Sequence, residues 1–229
     1  MAISICVFDA YGTLFDVGAA VRDAAGEDAF QTLAEHGPAL AETWRQKQLG
    51  YSWLRAAYGC HTDFWTVTSQ ALDFALEAHG LGGNEDLRAR LLQLYWELKP
   101  YGEVHRVLSS LKAQGMRLAI LSNGAPDMLE AAVDSAELGD VFDAVLSAEQ
   151  VGVFKPDPAV YALVENVFGL PRRDVLFVSS NCWDACAAAG FGFRTLWVNR
   201  RSEPLDRMPW RPEFMAENLT RLPNTVESL

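Results

Sequence analysis

Val7-Phe8-Asp9-Ala10-Tyr11-Gly12-Thr13-Leu14-Phe15 is the stretch on which the fold turns. Residues 3–8, leading into it, are apolar and partly β-branched, the composition of a buried strand. Asp9 places a carboxylate where that strand runs out, and Gly12 lets the chain turn sharply behind it. Ligands of parallel α/β sheets bind beyond the carboxyl ends of the strands, so Asp9 is a candidate nucleophile. A carboxylate that merely caps a turn is the alternative at this point.

Working outward, further apolar strands are predicted at residues 117–121, 144–146, 175–178 and 195–198. They are nearly continuous rather than alternating, as in a parallel sheet covered on both faces. Helical patterns at 104–112, 128–138, 159–168 and 184–189 precede or separate them. This repetition predicts a doubly wound, Rossmann-like α/β core. Residues 16–99 interrupt it with no strand signal and many helix formers, with amphipathic patterns at 39–58 and 64–78. Lys99-Pro100 ends the block. The expected organisation is a core of residues 1–15 and 100–229 with a helical cap of residues 16–99 inserted. Residues 203–229 are rich in Pro and Arg and are expected to wrap the core without strands.

The 229 residues are 50% hydrophobic and 21% charged, as in a folded domain with a substantial core. No apolar run approaches the ~18 residues that span a bilayer, and no basic stretch precedes Ile3, so a cytoplasmic, non-membrane protein is expected. A net charge of −11 argues against nucleic-acid binding and means that an anionic substrate needs local cations. Cys182 and Cys186 lack Cys-x-x-Cys spacing, and Cys6 belongs to the buried strand. The four histidines are scattered, with no metal-type partner at i+4.

Four later segments concentrate polar chemistry. Leu121-Ser122-Asn123-Gly124 offers donors at a strand end, a pattern that also suits a helix cap and turn. In Phe154-Lys155-Pro156-Asp157-Pro158 the prolines restrain a lysine that would otherwise be solvated. Val178-Ser179-Ser180-Asn181-Cys182-Trp183-Asp184 ends a strand and puts one acid in the first turn of a helix. Trp44-Arg45-Gln46-Lys47-Gln48-Leu49 lies in the helical block, where an arginine beside an apolar face commonly snorkels over the core.

These segments together resemble the haloacid dehalogenase superfamily, whose first motif matches Asp9-Ala10-Tyr11-Gly12-Thr13, and within it the type II L-2-haloacid dehalogenases. Phosphatases of the superfamily carry a second aspartate two residues after the first to protonate a leaving alcohol. Here that position is Tyr11, and a phenol with a pKa near 10 is a poor acid at neutral pH, whereas a departing halide needs no proton. The phosphatases also carry an acidic, magnesium-binding cluster where this chain has Ser179, Ser180 and Asn181. The resemblance therefore implies metal-free hydrolysis of (S)-2-haloacids to (R)-2-hydroxy acids through an aspartyl ester, with no cofactor. A magnesium-dependent phosphatase or phosphonate hydrolase is the second reading.

By the same resemblance the catalytic set is Asp9, Thr13, Arg45, Ser122, Lys155, Tyr161, Ser179, Asn181 and Asp184. Asp9 is implied as nucleophile, Arg45 as halide acceptor with Asn123, and Ser122 as a holder of the substrate carboxylate. Lys155 would neutralise the charge around Asp9. Asp184 would orient Lys155 and the hydrolytic water, with Ser179 and Asn181 positioning Asp9 and that water. Tyr11, Gln46, Leu49, Phe64 and Trp183 are implied to line the substrate pocket. The family also implies a homodimer.

Overall fold

A computed structural model describes residues 3–31 and 33–229. The fully buried strand β1 (Ile5–Phe8) opens the fold and is followed by four helices, α1 (Ala19–Ala25), α2 (Leu33–Tyr58), α3 (Phe64–Ala78) and α4 (Glu85–Trp96). Helices and strands then alternate: α5 (Val104–Ala113), β2 (Arg117–Ser122), α6 (Pro126–Ser135), β3 (Ala144–Ser147), α7 (Pro158–Phe168), β4 (Val175–Ser179), α8 (Cys182–Phe191) and β5 (Arg194–Val198). Strand β6 (Phe214–Ala216) and α9 (Leu222–Glu227) close the chain.

The sheet runs β3-β2-β1-β4-β5-β6 and is parallel throughout. The chain winds outward from β1 in both directions, so β1 lies at the switch point where such sheets open a crevice. Both faces are covered, which is why β1 and β4 read as unbroken apolar runs and are buried at every residue.

Two expectations are corrected. Residues 203–229 do contain a strand: β6 pairs with β5 in the register Leu196↔Phe214 to Val198↔Ala216. Three residues are too few to display a period-2 pattern, and only pairing with the sheet edge defines the strand. Helix α2 also starts before residue 39, at Leu33, and runs through Pro38. Proline loses one backbone hydrogen bond there, but its fixed φ is compatible with helix.

The chain leaves and re-enters the sheet at one place. Asp16 N–H donates to Lys99 O at 3.0 Å, Tyr101 N–H donates to Leu14 O at 2.9 Å, and Phe15 forms a bridge with Pro100. Among the described residues between these crossings there are helices but no strand, and α2 packs along α3 with Trp44, Leu72, Ala75 and Leu76 in the shared core.

Candidate active site

Parallel pairing brings the carboxyl ends of β1, β2 and β4 to one edge. Asp9 follows β1, Ser122 ends β2 and Ser179 ends β4. The register Phe8↔Ile120 and Phe8↔Val178 aligns them, and Asp9 N–H continues the ladder onto Val178 O at 2.9 Å.

Asp9 is buried and both its oxygens are engaged. Oδ1 accepts from Lys155 Nζ at 3.1 Å. Oδ2 accepts from Thr13 Oγ1 at 2.9 Å and from Asn181 Nδ2 at 2.9 Å. Thr13 also accepts from Ser180 N–H at 2.8 Å, which ties the loop after β1 to the loop after β4.

Lys155 Nζ reaches Asp184 Oδ2 as well, at 2.9 Å, and sits over the Phe177 ring. Asp184 is completed by Tyr161 Oη, which donates to Oδ1 at 2.7 Å, and by Ser179 Oγ, which donates to Oδ2 at 3.0 Å. Asp9 and Asp184 are the only buried carboxylates among the described residues, and one ammonium joins them. Burial favours the neutral amine, but the charges of Asp184 and Asp9 outweigh it and hold the Lys155 pKa above that of an ordinary lysine. Burial lifts the Asp184 carboxyl above its usual range, with Lys155 pulling against it and the Asp9 charge adding to the rise.

Lys155 is held from behind. Its backbone N–H donates to Asn123 Oδ1 at 2.8 Å, so the loop after β2 grips the loop before α7. Ser122 Oγ accepts from Gly124 N–H at 3.1 Å, and Ser147 Oγ donates to Gly124 O at 2.6 Å. The peptide bond between Lys155 and Pro156 is cis.

The helical block supplies the opposite wall. Arg45 Nη2 donates to Asn181 Oδ1, and Asn181 in turn holds Asp9. The ring of Tyr11 stacks on Tyr95 at 5.5 Å between centroids and tilts against Phe64 at 5.9 Å. Trp183 meets Trp53 edge-on at 5.3 Å. The Tyr11 hydroxyl and the Trp183 indole N–H are buried without a partner among the described residues. Burial first, then Tyr95 and Asp9, holds the Tyr11 phenol well above its ordinary pKa, so it remains a neutral donor. Glu149, on the sheet side, accepts from Phe64 N–H at 2.9 Å and anchors the start of α3.

Gln46 is exposed and donates to Glu42 at 3.0 Å. Ser179 touches Asp184 and receives Asn181 N–H at 3.1 Å, and has no hydrogen bond to Asp9. Leu49 is half-buried on α2.

Sequence reading missed Tyr95 and Gln48. Gln48 is buried and donates to Thr68 Oγ1 at 2.8 Å and to Tyr95 Oη at 3.0 Å, which locks the ring that backs Tyr11. A glutamine at i+3 from Arg45 was the available signal.

The arrangement presents a desolvated carboxylate, an adjacent ammonium and a guanidinium linked to that carboxylate through Asn181. It suits displacement of an anionic leaving group from a small carboxylate-bearing molecule. Lys155 Nζ stands between the two buried carboxylates that a divalent ion would need, and no group of three His, Cys, Asp or Glu capable of holding a metal occurs among the described residues.

Comparison with known proteins agrees in kind. A family model described as haloacid dehalogenase-like hydrolase matches residues 3–192. The (S)-2-haloacid dehalogenase of Xanthobacter autotrophicus is 49% identical over 201 residues, covering 88% of this chain and 77% of the relative. That of Pseudomonas fluorescens is 39% identical over 218 residues, covering 95% and 94%. A solved structure of the L-2-haloacid dehalogenase from Xanthobacter autotrophicus with chloropropionic acid covalently bound superposes with a TM-score of 0.88 at 40% identity, covering 99% of each chain.

Proposed function

This chain belongs to the haloacid dehalogenase-like hydrolase family, and from that premise we propose that it hydrolyses short (S)-2-haloalkanoic acids to (R)-2-hydroxy acids and halide. The observation that carries this reading is the triple engagement of Asp9 by Lys155, Thr13 and Asn181, with Arg45 bonded to Asn181.

Asp9 attacks C2 in line, the carbon–halogen bond breaks, and the halide leaves with the bonding pair toward Arg45 and Asn123. Oδ2 accepts two hydrogen bonds and Oδ1 one, so Oδ1 keeps the freer lone pair for attack. Water then attacks the ester carbonyl carbon of Asp9 and gives one proton to the Asp184 side of the network; the acyl carbon–oxygen bond breaks, the departing oxygen takes the proton of the newly added hydroxyl, and the hydroxy acid leaves with the Asp9 carboxylate restored. The raised Asp184 carboxyl is suited to accept that proton. Covalent catalysis splits one hard substitution into two easier steps. Lys155 compensates the charge of Asp9 and of the substrate, and this ammonium is our reason for proposing catalysis without a metal.

A single turnover in ¹⁸O-water, with enzyme in excess, tests the scheme. Mostly unlabelled product inverted at C2, together with an ¹⁸O-labelled peptide containing Asp9, is expected. Labelled product with an unlabelled peptide would make Asp9 a general base. Halide release unaffected by chelator is expected as well. Loss of activity restored by magnesium would favour the phosphatase reading.

We also propose that residues 16–99 act as a cap over a core of residues 1–15 and 100–229, a division supported by the paired crossings at Leu14–Asp16 and Lys99–Tyr101. A homodimer is supported by Leu54 and Tyr58, 55% and 78% exposed at the end of α2. Tyr58→Glu should then yield monomers by light scattering. A cytoplasmic location is supported by four unpaired cysteines, two of which, Cys6 and Cys182, have thiols pushed up to about 12 by burial.

A further inference from the structure

A cavity of about 600 Å³ lies beside the reaction centre, between α1, α2 and the loop after β5. Its inner wall includes Arg45, Trp44, Tyr95 and Ser180, and its outer rim includes Arg22 and Arg201. The inner side chains are buried or half-buried, whereas Arg22 and Arg201 are 62% and 58% exposed. The space therefore grades from the interior to solvent.

We propose that this cavity is the release passage for the halide, running from Arg45 to the surface between Arg22 and Arg201. The inference rests on the dehalogenase reading. Arg45 belongs to both places: it bonds Asn181, which holds Asp9, and it forms part of the cavity wall. An anion collected by Arg45 is already at the inner mouth.

The lining suits passage rather than capture. Arg200, Arg22 and Arg201 continue the line of guanidiniums outward, each tied to a carboxylate: Glu103 at 2.7 Å, Asp16 at 2.5 Å and Glu42 at 2.9 Å. A paired guanidinium still offsets the cost of moving an anion through a low-dielectric gap, but it holds that anion weakly. Conduction needs sites that are favourable enough to enter and weak enough to leave. Beyond the rim, a net charge of −11 disfavours return of the anion.

The experiment is stopped-flow binding of bromide, read by tryptophan quenching, on the wild-type chain and on Ala41→Trp. Ala41 lies on the cavity wall and is not among the residues that hydrogen-bond Asp9, Lys155 or Asp184. Obstructing a route changes rates and not the equilibrium. Association and dissociation constants should both fall at least about tenfold while Kd stays within about twofold. A folded Ala41→Trp variant with both rates unchanged would overturn the passage. Should that variant not fold, Arg201→Glu decides. It should slow bromide association about threefold, with the difference vanishing at high salt, and an unchanged association rate would overturn the proposal. Bromide binding requires no turnover, so failure to release halide from (S)-2-chloropropionate would remove the dehalogenase reading separately.

Discussion

Lys155 and Asp184 are joined Nζ to Oδ2 at 2.9 Å, with the lysine side chain 1% and the aspartate 0% exposed. Neither charge has water to fall back on, so each depends on the other. Asp184→Asn removes the negative charge but leaves the burial of Lys155 unchanged. The alkaline limb of kcat/KM, set by loss of the Lys155 proton, should therefore move to lower pH, and turnover should fall about a hundredfold or more. Breaking a buried pair typically costs about 3–5 kcal/mol of stability. An unmoved alkaline limb in the folded variant would mean that Asp184 does not set the lysine.

The phenols of Tyr11, Tyr95, Tyr101 and Tyr161 are all held above their ordinary value, in each case chiefly by burial. A group whose folded pKa exceeds its unfolded pKa stabilises the fold fully below the unfolded value, about 10 for tyrosine, and less as pH climbs toward the folded one. Absorbance titration should show these four ionising together with unfolding, above about pH 10. Ionisation of all six tyrosines while the circular dichroism stays native would contradict the burial described for them.

Gly124 faces the edge of Tyr11. A Cβ at this position would lie 2.7 Å from Tyr11 Cε2 and 3.0 Å from Leu129 Cδ2. Tyr11 cannot retreat freely, because Tyr95 and Phe64 back it. Gly124→Ala should cost about 1–3 kcal/mol and raise KM for 2-chloropropionate, as overpacking does elsewhere. Wild-type KM and melting temperature would show that the ring is free to move.

Arg45→Ala should lower turnover by about 10²–10³ with an unchanged melting temperature, since in the proposed scheme this guanidinium receives the departing charge. The loss should appear in ester formation during a single turnover, leaving ester hydrolysis nearly unaffected. Near-normal turnover would reduce Arg45 to a surface residue.

The parallel sheet was legible because burial on both faces writes itself into β1 and β4 as unbroken apolar runs. Asp9, Lys155 and Asp184 stood out because each sits at a strand end, in a proline-restrained loop or in the first turn of a helix, where local chemistry singles it out, whereas Asn181 was named only through the family resemblance. Tyr95 did not stand out. It belongs to an amphipathic helix and looks like core until Gln48 and Tyr11 meet it from elements distant in sequence. Strand β6 is too short to announce itself, and its identity depends on β5.

The hydrogen bonds Asp16 to Lys99 and Tyr101 to Leu14 close the helical block at its base like a clasp. Loop-closure entropy grows only slowly with the length enclosed, so a closed base tolerates very different contents above it. Residues 16–99 could thus be exchanged for a shorter or longer segment in a grafting experiment without disturbing the register of β1 against β2 and β4. At its base the block is fastened by two peptide hydrogen bonds, while Arg45–Asn181 and Phe64–Glu149 hold its far side to the loops around Asp9, so a graft would have to replace those contacts.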